Sequence, residues 1–331
     1  MTLPLEWLLD SDPSIRWQVM RDLIAEPDAT VARERSRAAT EGWGARLLDL
    51  QGSDSHWGGT AFVPRAWIST MDTLQLLRDL GVDRASDRVR RAIGQLRDRC
   101  TWGREFGDAP FFEGEVEPCI NGRVLAIGAY FGEARDRLAG RLLQEQLSDG
   151  GWNCDAPHSR RSSFHTTLCV LEGLLEYETA NGPRPDVTGA RLRGQEYLVE
   201  RRLFRSRSSG QIIRTDRKTG LPSAWTEISF PTRWHYDILR DWTTCGGPAP
   251  HPTSAWPRRS IWCGISATNT GGGHSRTRIR VRRISSWKAA PASRAAGTRF
   301  GRSASCAGRA RTILRESLFH GTKSAQTDHF L

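Results

Sequence analysis

The chain has 331 residues, 38% of them hydrophobic, which excludes a small scaffold that cannot bury its own core. Its net charge of +11 would suggest an acidic polymer, yet residues 241–331 hold 15 Lys/Arg and 3 Asp/Glu, leaving 33 and 34 in residues 1–240. The basic character belongs to the tail alone, so nucleic acid is excluded as the expected partner, and the absence of any run near ~18 apolar residues excludes a transmembrane segment.

Residues 4–25 carry Leu5, Leu8, Leu9, Ile15, Trp17, Val19, Met20 and Leu23 at helical spacing. Asp12-Pro13 reads as an N-cap followed by Pro in the first turn, which divides this stretch into two helices. Further helices are predicted at about 29–51, 66–80, 84–99, 121–131, 133–147, 164–178 and 186–202. Period-two alternation is absent, so the fold class is all-α. After Arg240 the composition turns to Gly, Ser, Thr, Pro, Ala and Arg, which reads as a disordered basic tail over 241–331.

The tail also carries the mark of a shifted reading frame. Read one base earlier, the codons for Asp241-Trp242-Thr243-Thr244-Cys245-Gly246 permit Gly-Leu-Asp-Tyr-Leu-Arg, which continues the preceding helix. The same shift over Thr298 to Gly308 permits another strong helix former. The domains expected are therefore 1–240, a helical-repeat body, and 241–331, a tail whose charge has no function. Seven scattered cysteines and no export signal imply a reduced, cytoplasmic protein.

A repeat organises the body. Gln51 precedes Trp57-Gly58-Gly59, and an apolar helix opens at Ser69-Thr70; Gln146 precedes Asp149-Gly150-Gly151-Trp152, and a helix opens at Ser163-Phe164. A degenerate copy runs from Trp102-Gly103 through Pro118. Trp57, Trp102 and Trp152 are 45 and 50 residues apart, the length of a helix pair with its loops. One such pair cannot cover its own apolar face, so the units must stack.

This Gln-Gly-Trp repeat resembles that of squalene cyclases and of protein prenyltransferase β-subunits. The resemblance implies an α/α toroid, incomplete at the C-terminus, that encloses an apolar small molecule such as an isoprenoid. In such repeats Gln51, Trp57, Gln146, Gly150 and Trp152 are structural. The Asp-x-Asp-Asp acid of the cyclases is missing; Asp10-Ser11-Asp12 comes nearest and reads as helix capping. Squalene cyclisation is therefore not expected.

The resemblance to zinc-dependent prenyltransferases is carried by Glu117-Pro118-Cys119 and Phe164-His165-Thr166. It implies a Zn²⁺ site of Glu117, Cys119 and His165, with Cys154 as a possible fourth ligand. Carboxylate, thiolate and imidazole are a zinc-capable set. The alternatives are a metal that merely staples two hairpins, or buried cysteines and a core histidine with no metal. A second cluster, Phe230 to Asp237, offers Trp234, His235, Tyr236 and Asp237 beside Phe164 as a substrate-pocket rim; its alternative is a capped helix start filling the core. Arg205, Arg207, Arg214, Arg217 and Lys218 read as a solvated loop.

Overall fold

The computed structural model describes residues 5–62, 68–104, 107–211, 213, 225, 230–232, 240 and 244, with the backbone of 265–268 and 278–281. The helices are α1 (Leu5–Leu9), α2 (Pro13–Asp22), α3 (Asp28–Ser36), α4 (Gly42–Asp49), α5 (Thr70–Leu80), α6 (Asp87–Arg99), α7 (Pro118–Phe131), α8 (Asp136–Gln144), α9 (Phe164–Asn181) and α10 (Pro185–Glu200). Among the described residues before 245 no strand forms, and β pairing is limited to isolated bridge positions at Thr101 and Pro110, which pair, and at Arg205. A two-stranded ribbon, Ile265–Thr268 antiparallel to Arg278–Val281, lies in the basic tail. Thr244, also within the predicted tail, is helical and buried, and its carbonyl accepts from Gln195 Nε2 at 3.3 Å; the other residues of the predicted tail lie outside the described residues. No helix of the described residues is long and apolar enough to cross a membrane.

Local chemistry explains where these helices begin. Asp12 caps α2 by accepting from Ser14 N at 2.9 Å, as its place before Pro13 predicts. Its other carboxylate oxygen accepts from Trp43 N at 2.8 Å and so ties α2 to the start of α4. Ser69 and Ser163 cap α5 and α9 by accepting from the third residue onward. The predicted helix over 29–51 is a correction: it divides into α3, a short 3-10 turn at Arg37–Ala39, and α4. Gly42 sits at φ +67°, which ends the first helical path and starts the second.

The packing follows the repeat. Helix α7 lies between α5 and α9, while α4 and α6 flank α5 and α7, and α8 and α10 flank α9. The body is thus a row of inner helices backed by outer ones. Its core gathers Trp57, Leu74, Trp102, Ile127, Trp152 and Leu171 into one continuous cluster.

The inner row is closest between α7 and α9. A Cβ built on Gly122 would run into the carbonyl of Cys169, and one on Gly173 into the carbonyl of Gly122. These two glycines let the helix backbones touch. Gly173→Ala is expected to cost about 1–3 kcal/mol or more, because a backbone carbonyl cannot yield as a side chain can. Gly140→Ala, at a helical position with open space around its Cβ, should instead gain about 0.5–1 kcal/mol. Chemical denaturation of both variants provides the comparison.

The two best repeat copies have the same joint, atom for atom. Gln51 Nε2 donates to Ser55 O at 3.1 Å and Arg88 O at 3.2 Å. Gln146 Nε2 donates to Gly150 O at 2.7 Å and Ala190 O at 2.8 Å. Trp57 Nε1 donates to Leu47 O, and Trp152 Nε1 to Leu142 O, both at 2.6 Å. Their backbone amides donate to Thr70 Oγ1 and Thr167 Oγ1 at 3.1 and 3.0 Å. The degenerate copy departs from this. Trp102 Nε1 donates forward to Phe111 O at 2.9 Å, and its ring stacks on Phe111 at 5.0 Å.

Candidate metal centre

The segment entering α7 is built around Glu115, which is almost fully buried. Its carboxylate accepts from Val116 N at 2.5 Å and Glu117 N at 2.9 Å. Its backbone exchanges two bonds with the Asn121 amide, each 2.8 Å long. Burial pushes the Glu115 carboxyl up to about 7 against the lowering effect of those backbone donors. The result is a rigid turn that delivers Glu117 to the N-cap of α7 and Cys119 to its first turn.

The segment entering α9 supplies the facing group. After Trp152 is pinned, Cys154 follows two residues later, and its sulfur lies 3.3 Å from Thr166 Oγ1. Glu117, Cys119 and Cys154 then offer one ligand atom each, all within 4.8 Å of one another. Cys119 Sγ is 3.5 Å from Glu117 Oε2. Cys119 is buried, while Glu117 and Cys154 are half-buried. One carboxylate and two thiols from consecutive repeat units can hold a metal ion.

The electrostatics of the pair are unequal. The Cys154 thiol is lowered, first by the hydrogen bond that Cys119 donates to it and then, against the cost of burial, by Thr166. The Cys119 thiol is raised by the same bond and by burial. Cys154 is therefore the sulfur that ionises first.

Three of the four predicted ligands come together here. His165 stands apart: it is not among the atoms that converge within 4.8 Å, and its ring stacks on Trp225 at 4.7 Å. Yet it directly precedes Thr166, which touches Cys154. The predicted pocket rim meets a different outcome. Phe164 is buried, its ring 5.2 Å from Trp225 and 5.8 Å from Tyr197, so it fills core. Trp234, His235, Tyr236 and Asp237 lie outside the described residues.

Besides Glu115, two further groups were not anticipated from the sequence. Thr166 supports Cys154, and its signal was its place beside His165. A further thiol, Cys100, meets His56 Nε2 at 3.8 Å; burial raises that thiol, so it is not held as a thiolate. A separate cleft of about 230 Å³ opens between α4 and α5, lined by Leu47, Leu50, Ile68, Leu76 and Pro231 with Asp72. It shares no lining residue with the Glu117-Cys119-Cys154 group.

No protein family, curated protein or solved structure matches the chain.

Proposed function

We propose that this chain is a zinc-binding helical-repeat protein of the prenyltransferase kind, holding Zn²⁺ through Glu117, Cys119 and Cys154. The single observation behind this reading is the convergence of those three ligand atoms within 4.8 Å from consecutive repeats. Three protein ligands leave one position of a tetrahedral ion open, the pattern of reactive rather than purely structural zinc. When bound, zinc would supply Lewis acidity and lower the pKa of a water or thiol in that position.

The chain's own residues set the terms of that binding. Glu115 fixes the turn that carries Glu117, and Thr166 orients Cys154, as outer partners orient metal ligands elsewhere. His165, at the first turn of α9, keeps its ring on Trp225 and leaves the fourth position open. The inner row α5, α7 and α9, continued by further hairpins, would curve into an α/α toroid. Its apolar interior would take an isoprenoid or similar small molecule, and the cleft beside Leu50 and Ile68 is the described surface most suited to one.

A second reading is favoured by one observation: the ligands straddle two units, and Cys119 is only 4% exposed. In that reading the metal is a staple between hairpins, without turnover. Metal analysis of the reduced full chain tests both readings. One Zn²⁺ per chain is expected, with affinity falling by at least about 100-fold in Cys119→Ser and Cys154→Ser, beyond the effect usual for outer partners. Thr166→Val should lose roughly 10–100-fold. Zinc loss from Cys119→Ala or Cys154→Ala with an unchanged helical spectrum supports the open site; zinc loss with unfolding supports the staple. A reduced chain that takes up no stoichiometric zinc would overturn both.

A further inference from the structure

We infer that Cys119 and Cys154 are a redox modification site: a peroxide converts them to a reversible intrachain disulfide that joins the α7 and α9 units. Three observations carry this. The two sulfurs lie within 4.8 Å of one another. They differ in access, with Cys154 half-buried on a turn and Cys119 enclosed at 4% exposure. Cys154 precedes α9 rather than lying within it, so a small turn adjustment brings sulfur to sulfur without moving a helix.

The chemistry balances with hydrogen peroxide as the oxidant. The Cys154 sulfur attacks one peroxide oxygen; an S–O bond forms, the O–O bond breaks, and the departing hydroxide takes the thiol proton as water. Cys119 sulfur then attacks the Cys154 sulfenic acid; the S–S bond forms, the S–O bond breaks, and a second water leaves. Two thiols and one peroxide give one disulfide and two waters. The enclosed Cys119 is protected from direct attack and acts as the resolving thiol.

The consequence for the metal rests on the zinc reading above. A disulfide sulfur is not a thiolate ligand, so oxidation removes two of the three donors at once. Metal occupancy and the disulfide would exclude each other, making the centre sensitive to oxidant.

The test uses the full chain, reduced and stripped of metal, then treated with hydrogen peroxide and mapped by mass spectrometry without reduction. The expected product is a linked pair of peptides containing Cys119 and Cys154, restored to two thiols by dithiothreitol. Cys154→Ser should leave Cys119 reduced, which separates this pairing from any other. Prior loading with zinc should suppress the product, and oxidation of the loaded chain should release zinc to a chromophoric chelator. Pairing of Cys119 with Cys169, or irreversible sulfinic acid at Cys154, overturns the inference even where zinc binds. If the disulfide forms equally with and without zinc, and the reduced chain takes up none, the metal reading falls and the Cys119–Cys154 couple stands.

Discussion

Trp152→Ala is expected to destabilise the chain by about 3–5 kcal/mol, the range for removing a fully buried aromatic side chain. Trp152 has no exposed surface, and its indole both fills the joint and bonds Leu142 O at 2.6 Å. Space is tight around it: a Cβ on Gly194 of α10 would meet the indole at 2.8 Å, so the neighbours are already at contact and the cavity cannot close by a small shift. Trp152→Phe separates the two contributions. It keeps most of the apolar area but strands the Leu142 carbonyl, at about 1–3 kcal/mol. Trp57→Ala should behave alike, since its joint has equivalent partners in Thr70 Oγ1 and Leu47 O. The sites are 95 residues apart in sequence and bond to different residues, Leu47 and Thr70 against Leu142 and Thr167, so their effects should add. Equilibrium denaturation of the two single variants and the double provides the measurement. A loss below about 1 kcal/mol at Trp152 would remove the joint from its structural role.

How much of this was legible beforehand depends on whether the signal was local. The caps at Asp12, Ser69 and Ser163 were readable because a cap is decided by one side chain and the next two or three amides. The Gln-Gly-Trp joints were readable because the same local problem is solved twice with the same residues. The break at Gly42 was missed although Thr40 and two glycines mark the spot, because the apolar spacing runs on through it; the positive φ of Gly42 and the tie from Trp43 N to the distant Asp12 carboxylate become visible only in three dimensions. The Trp102 copy kept its tryptophan but lost its backward bond, a change that only the intervening Phe111 reveals.

The candidate site divides along the same line. Glu117 and Cys119 could be paired through the resemblance, which places both at the entry of one helix, where they lie at the N-cap and first turn of α7. Cys154 joins them through packing of α9 against α7, which depends on two glycines, Gly122 and Gly173, whose closeness no local pattern announces. His165 was placed with the ligands by resemblance, whereas the local geometry turns its ring onto Trp225. Glu115 went unremarked because a carboxylate in the alternating run Glu113, Glu115, Glu117 reads as surface; its burial and the two backbone donors on its carboxylate show that it holds the turn.

The inner row carries charges as well as apolar contacts, and these support the second large prediction. Arg123 of α7 donates to Asp72 of α5 at 2.6 Å, with side-chain exposures of 3% and 6%. Ser69 Oγ donates to the same carboxylate at 3.3 Å. Removing one member of such a pair leaves the other charge in the interior, so Arg123→Met should cost about 3–5 kcal/mol. The pair itself is worth far less, because both groups gave up water to meet. Asp72→Leu combined with Arg123→Met should therefore recover most of that loss. A double variant no more stable than Arg123→Met, measured by the same denaturation, would refute this account. It would show instead that the pair is needed to set the register of α5 against α7. A recovered double variant would place that register in the apolar packing of Leu74, Leu77 and Val124, leaving the ion pair as a neutral passenger of the inner row.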